Sequence, residues 1–163
     1  MSDVEAFLAL YREAWRHNSA AEIESFWDAG MAKPFYKAEE IDHIITDWEP
    51  LRAYWKHNES FNEINELSYA NVITQPMGDD RVLIGLKMRW DIRFATDARQ
   101  IDGSAFAWAG QAMGGENHVA CCLRQVDDDW RLTSWVEAPD APILYMADLY
   151  MKNVRPDFPS NSN

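Results

Sequence analysis

The sequence predicts an α+β domain, in which N-terminal helices pack on a curved antiparallel sheet and a short helix closes the chain. Two observations carry this. Apolar residues recur at helical spacing up to about Glu59, and at strand spacing from Phe61 to Glu137. A block of helices followed by a block of strands is the α+β pattern, with one sheet against helices. A third observation sets the scale. The chain has 163 residues and 47% hydrophobic content, enough for one domain with its own core. That domain is expected over 1–155, with a polar, mobile tail over 156–163.

The helices come first. Ser2-x-x-Glu5, Ser19-x-x-Glu22 and Thr46-x-x-Glu49 place a hydroxyl three residues before a carboxylate, the capping-box spacing of a helix start. The first helix runs to about His17, with Val4, Phe7, Leu8, Tyr11 and Trp15 on one face. The second is short, with Ile23, Phe26 and Trp27 inward and Gly30 as its stop. Segment 31–45 contains Pro34 and is open between loop and short hairpin. A third helix over about 47–58 carries Leu51, Tyr54 and Trp55, and tolerates Pro50 in its first turn.

The strands follow at about 61–75, 81–95, 103–113, 116–126 and 130–137. In 82–94 every even residue is apolar: Val82, Ile84, Leu86, Met88, Trp90, Ile92 and Phe94. This is the alternation of a half-buried strand, with the even side chains toward the helices. Met77-Gly78-Asp79-Asp80, Gly114-Gly115 and Asp127-Asp128-Asp129 read as turns. Asp140-Ala141-Pro142 begins a helix to about Asn153.

Charge and composition exclude several functions. The net charge is −12 with no basic stripe, so nucleic acid and anionic membrane surfaces are not expected partners. No apolar run has membrane-spanning length, and the first residues lack the pattern of a signal peptide. Cys121 and Cys122 are adjacent, point to opposite faces of a strand and read as free thiols of a reducing compartment. A cytoplasmic location is expected. The sequence has no G-x-S-x-G, G-x-G-x-x-G or P-loop. Its four histidines lack ligand-pair spacing, so neither metal nor cofactor is expected. His17 and His57 end helices, and His118 shares the outward face with Arg124.

What remains is collective. Tyr11, Trp15, Tyr54, Met88, Trp90, Asn117 and Ser134 would converge with Cys121 on one cavity if the even face of 82–94 is concave. Such a lining, apolar and aromatic with a few polar groups, suits a small hydrophobic molecule. The alternative is that these side chains fill the interior and leave no void. His43, beside Asp42, is a candidate acid or base, and Cys121 a candidate nucleophile.

Leu10-Tyr11-Arg12-Glu13-Ala14-Trp15, the stretch Ser19 to Trp27, Leu51-Arg52-Ala53-Tyr54-Trp55 and the Trp130-Arg131-Leu132 strand resemble the nuclear transport factor 2-like superfamily and its SnoaL-like proteins. The resemblance implies a cone-shaped α+β barrel with a pocket between sheet and helices, and a homodimer. It spans isomerases, dehydratases, cyclases, small subunits of aromatic-ring dioxygenases and plain binding proteins. Ketosteroid isomerase within it uses a first-helix Tyr and two Asp. Tyr11 falls near the Tyr, Lys33-Pro34 near the base and Cys121 near the second acid, so that reaction is not expected. The resemblance leaves open a binding protein, a cofactor-independent lyase or isomerase of a cyclic or aromatic compound, and an accessory subunit of an oxygenase-type complex.

Overall fold

A computed structural model describes residues 4–31, 33–100, 102–141 and 143–157. Its elements are α1 (Val4–Arg16), α2 (Ala20–Ser25), β1 (Phe35–Lys37), α3 (Trp48–Phe61), β2 (Asn62–Pro76), β3 (Arg81–Phe94), β4 (Ala112–Val126), β5 (Asp129–Pro139) and α4 (Ile143–Lys152). The strands form one sheet in the order β1-β5-β4-β3-β2. The expected Ser2 cap, Pro142 and the tail beyond Asp157 lie outside the described residues.

The α+β class holds, but the expected cone does not. The sheet is open: β1 and β2 are its two edges and do not pair. β1 has only three residues and lies parallel to β5, so the sheet is mixed and not wholly antiparallel. At the other edge the β2–β3 hairpin runs out past the helices, and residues 70–81 are all exposed. Among the described residues no element packs on that end, where Val72, Ile73 and Met77 are exposed.

The helices bury the predicted faces. Phe7, Leu8, Tyr11 and Ala14 of α1 are buried, with Val4 and Trp15 packed on their flank. Each large apolar side chain removed from water here contributes about 1.5–3 kcal/mol. Ser19 caps α2, accepting from the Glu22 amide at 3.3 Å. The N-cap of α3 is Asp47, without a side-chain cap bond, so the Thr46 box is not used. Asn18 ends α1 at φ 53°, a left-handed conformation Asn tolerates. Its amide donates to the carbonyls of Asn58, Glu59 and Asn62, and its oxygen accepts from Asn65. One side chain thus ties the α1–α2 corner to the α3–β2 junction.

In β3 the alternation is as read: Val82, Ile84, Leu86, Met88 and Phe94 are buried, and Trp90 and Ile92 partly so. The turns at 77–80 and 127–128 are also formed. Asp127 and Asp128 both have positive φ, as a two-residue type I′ hairpin turn requires. The Gly114-Gly115 reading is overturned. β4 runs straight through both glycines, and the strand expected at 103–113 is mostly the loop between β3 and β4. These glycines serve close approach instead. A Cβ on Gly114 would run into the Asp91 carboxylate and lie 2.9 Å from the Trp90 carbonyl oxygen, and one on Gly115 would lie 2.8 Å from the Trp90 ring. The Trp90 indole lies across the β4 backbone where only glycine leaves room.

β5 carries the decisive irregularity. Leu123 pairs with Leu132, but Cys122 pairs with Ser134, leaving Thr133 as an extra residue. A bulge of one residue reverses the facing of everything after it. Trp130 and Leu132 point inward before it, and Trp135 after it. Glu137, two residues beyond Trp135 and opposite Val119, follows the same inward face.

Candidate functional site

The inner face of the sheet and the helices enclose an aromatic interior. Tyr11 packs on Trp135 at 5.4 Å, and Tyr69 on the same indole at 6.3 Å. Tyr36 contacts Trp27, Tyr54 and Trp55 at 5.4–6.3 Å. Tyr69, Met88 and Asn117 form a register row across β2, β3 and β4. The β-strand residues are brought here by alternation, and the tyrosines of α1 and α3 by the helical stripes.

Polar groups inside this apolar shell are few. Asn117 is fully buried; its oxygen accepts from Trp90 Nε1 at 3.4 Å, and its amide donates to Glu137 Oε2 at 2.9 Å. Trp135 Nε1 donates to the other Glu137 oxygen at 2.7 Å. Burial raises the Glu137 carboxyl to about 7; these hydrogen bonds oppose the rise and nearby Glu40 adds to it. Glu39 is likewise raised, first by burial and then by Glu40. Among the described residues no lysine or arginine forms an ion pair with Glu137.

The phenols differ in how they are satisfied. Tyr54 donates to Glu40 Oε1 at 2.5 Å. The Tyr69 hydroxyl is buried and finds no partner, and the Tyr11 hydroxyl has only the indole N–H groups of Trp15 and Trp27 beside it, so its own O–H proton has no acceptor. Burial raises the Tyr11, Tyr36, Tyr54 and Tyr69 phenols, so all four remain protonated donors. A buried hydroxyl without a partner costs about 1–3 kcal/mol.

The structure brings most of the residues singled out from sequence to this interior, but not all. Tyr11, Met88, Asn117 and Cys121 are buried on it, Trp90 and Tyr54 are partly buried beside it, and Trp15 flanks Tyr11 at 6.4 Å. Ser134 is on the opposite face, because the Thr133 bulge reverses the strand. Its hydroxyl instead accepts from the Cys122 amide. His43 sits in a bend with its side chain 67% exposed, hydrogen-bonded to adjacent Asp42. Cys121 is fully buried, and burial pushes its thiol up, the reverse of what an activated nucleophile needs.

Glu137, Trp135, Tyr36 and Tyr69 were not singled out from sequence. One signal for the first two was present. Leu132 and Trp135 are three apart, which breaks the period of two and marks a bulge between them. Two open clefts of about 410 and 210 Å³ lie elsewhere on the surface, the larger beside Trp27, Asp28 and Arg131, the smaller beside Arg12 and Glu66. The first borders a buried ion pair of Asp28 with Arg124, which ties the turn after α2 to β4.

No protein-family model matches the chain, and no curated protein matches it. Solved structures do. The chain is similar to a protein assigned as a dehydratase of the NTF2-like family from Streptomyces avermitilis, with 13% identity, 85% of this chain and 95% of that one covered, and TM-score 0.66. It is also similar to a protein assigned as a scytalone dehydratase from Novosphingobium aromaticivorans, with 9% identity, 85% and 82% covered, and TM-score 0.67. A protein assigned as an aromatic ring hydroxylase from the same organism matches at 10% identity, 85% and 87% covered, and TM-score 0.66. The chain therefore has the fold of the nuclear transport factor 2-like superfamily. Identities this low carry the fold alone.

Proposed function

We propose that this chain is a small-molecule-binding protein of the SnoaL-like type, and that it acts on a cyclic or aromatic compound as a cofactor-independent lyase or isomerase. One observation carries the reading: an aromatic interior holding two phenols whose O–H protons have no acceptor, Tyr11 and Tyr69, and a carboxyl, Glu137, with a raised proton affinity. Donors without protein acceptors suit a ligand oxygen, and a carboxyl near neutrality suits proton transfer. Two of the similar structures carry the name dehydratase, a lyase activity, which supports the same class.

The test is binding first, turnover second. Bicyclic aromatic alcohols and ketones are titrated against the protein and followed by calorimetry. Tyr11→Phe is expected to weaken a bound member by about 1 kcal/mol or more while the fold is retained. Absence of heat across the series removes the reading. Product analysis by NMR then separates an enzyme from a binding protein.

A second reading, an accessory subunit of an oxygenase-type complex, draws on the similar structure named as an aromatic ring hydroxylase. Pull-down from the native host with a stable large partner would favour it. In either case we expect a homodimer. Light scattering at micromolar concentration that returns only the monomer mass would remove that expectation.

A further inference from the structure

Glu137 has an unusual set of neighbours for a carboxylate. Both oxygens are held by neutral donors, Trp135 Nε1 and Asn117 Nδ2, and the backbone of Glu39 adds a third hydrogen bond. The titratable groups around it are Glu39 and Glu40 from the turn after β1, Tyr36 of β1, Tyr54 of α3, Tyr11 of α1 and Tyr69 of β2. None is a cation. Lys37 donates its ammonium to the carbonyls of Ala38 and Ile41. The Tyr11 hydroxyl, which feels the Glu137 charge, is wholly buried, and its O–H proton has no acceptor.

We propose that Glu137 is the polar anchor of the interior, accepting a hydrogen bond from an uncharged cyclic ligand that bears a hydroxyl or N–H, and that the site rejects carboxylates and phosphates. This rests on the small-molecule reading above. An anionic ligand would meet Glu137, Glu39 and Glu40 with no cation paired to Glu137 in a medium that screens poorly. A neutral donor gains a charge-assisted bond to the ionised carboxylate, while its ring packs on Trp135. Tyr11 can then donate to the same ligand oxygen, which has a lone pair to spare.

The experiment compares 2-naphthol with 2-naphthoate, probes of one shape and different charge, by calorimetry between pH 5.5 and 8.5. At pH 8, 2-naphthol is expected to bind at least tenfold more tightly than 2-naphthoate. Its affinity should fall as the pH drops through about 7, where Glu137 takes up its proton. Glu137→Gln should weaken 2-naphthol at least fivefold at pH 8, flatten the pH profile and narrow the gap between the probes. Thermal melting checks that the variant is folded, and Glu137→Asp, which keeps the charge on a shorter arm, should retain the pH dependence. Equal binding of the two probes, or 2-naphthol binding indifferent to Glu137→Gln, overturns the anchor but leaves the small-molecule reading standing. Failure of both probes to bind overturns that reading and the anchor with it.

Discussion

Two carboxylates three residues apart, Glu137 and Asp140, are pushed in opposite directions. Glu137 points into the aromatic interior and is held by neutral N–H groups, and burial raises it to about 7. Asp140 lies on the outer face, where Lys87 donates at 2.8 Å and His118 lies at 3.4 Å. Lys87, through its hydrogen bond and charge, holds Asp140 below the usual carboxylate range. Chain position and residue type are nearly the same; what differs is whether the partner carries charge and how far the carboxyl is withdrawn from water, half-buried for Glu137 and exposed for Asp140. The inner face of this sheet is therefore built to perturb a carboxyl, and the outer face to stabilise charges already solvated.

The sharpest break of this comparison is on β3, where adjacent positions serve the two faces. Trp90→Asp should cost about 3 kcal/mol or more, through lost packing over Gly115 and a charge placed beside Asn117. Lys87→Glu, on the outer face, should shift the melting temperature far less. Equal melting temperatures for the two variants would contradict the facing of the whole strand.

Next in size is Glu137→Gln. Because the folded carboxyl binds its proton more tightly than the unfolded one, wild-type stability is lost as pH rises from about 4.5 to about 7. The variant is neutral throughout. Its advantage over wild type should be small at pH 4 and grow to about 1–3 kcal/mol at pH 8, read by denaturant melts at each pH. A difference that shrinks with rising pH would mean that Glu137 is stabilised as an anion.

A smaller effect is expected at Tyr11. Its O–H proton has no acceptor, so Tyr11→Phe should leave stability unchanged or slightly raised, while a buried hydroxyl that donates a hydrogen bond would cost about 1 kcal/mol to remove. Urea midpoints distinguish the two. The smallest is Asp140→Asn. Its carboxyl has a lowered proton affinity, so any contribution is present above pH 4 and lost as acid protonates it. At pH 7 in moderate salt no resolvable change in melting temperature is expected, since exposed pairs contribute little.

The sequence by itself determined what nearest neighbours along the chain encode. The switch from helical to strand period, the Ser19 cap, the 77–80 and 127–128 turns and the inward side of β3 all follow from spacing and turn chemistry over a few residues. The inward facing of Tyr11 on its helical stripe and of Met88 on its strand follows in the same way. Tertiary structure decided the rest. The openness of the sheet lies in its pairing, with β1 parallel to β5 at one edge and β2 unpaired on its outer side at the other. The use of Gly115 depends on the Trp90 ring, and that of Gly114 on Asp91 and Arg89, all from the neighbouring strand β3, which local sequence cannot show. Above all, a single unpaired residue at Thr133 turned Ser134 outward and put Trp135 and Glu137 inside. Side-chain facing has a period of two, so a register shift of one residue, set by pairing with a distant strand, exchanges one whole set of candidates for the other.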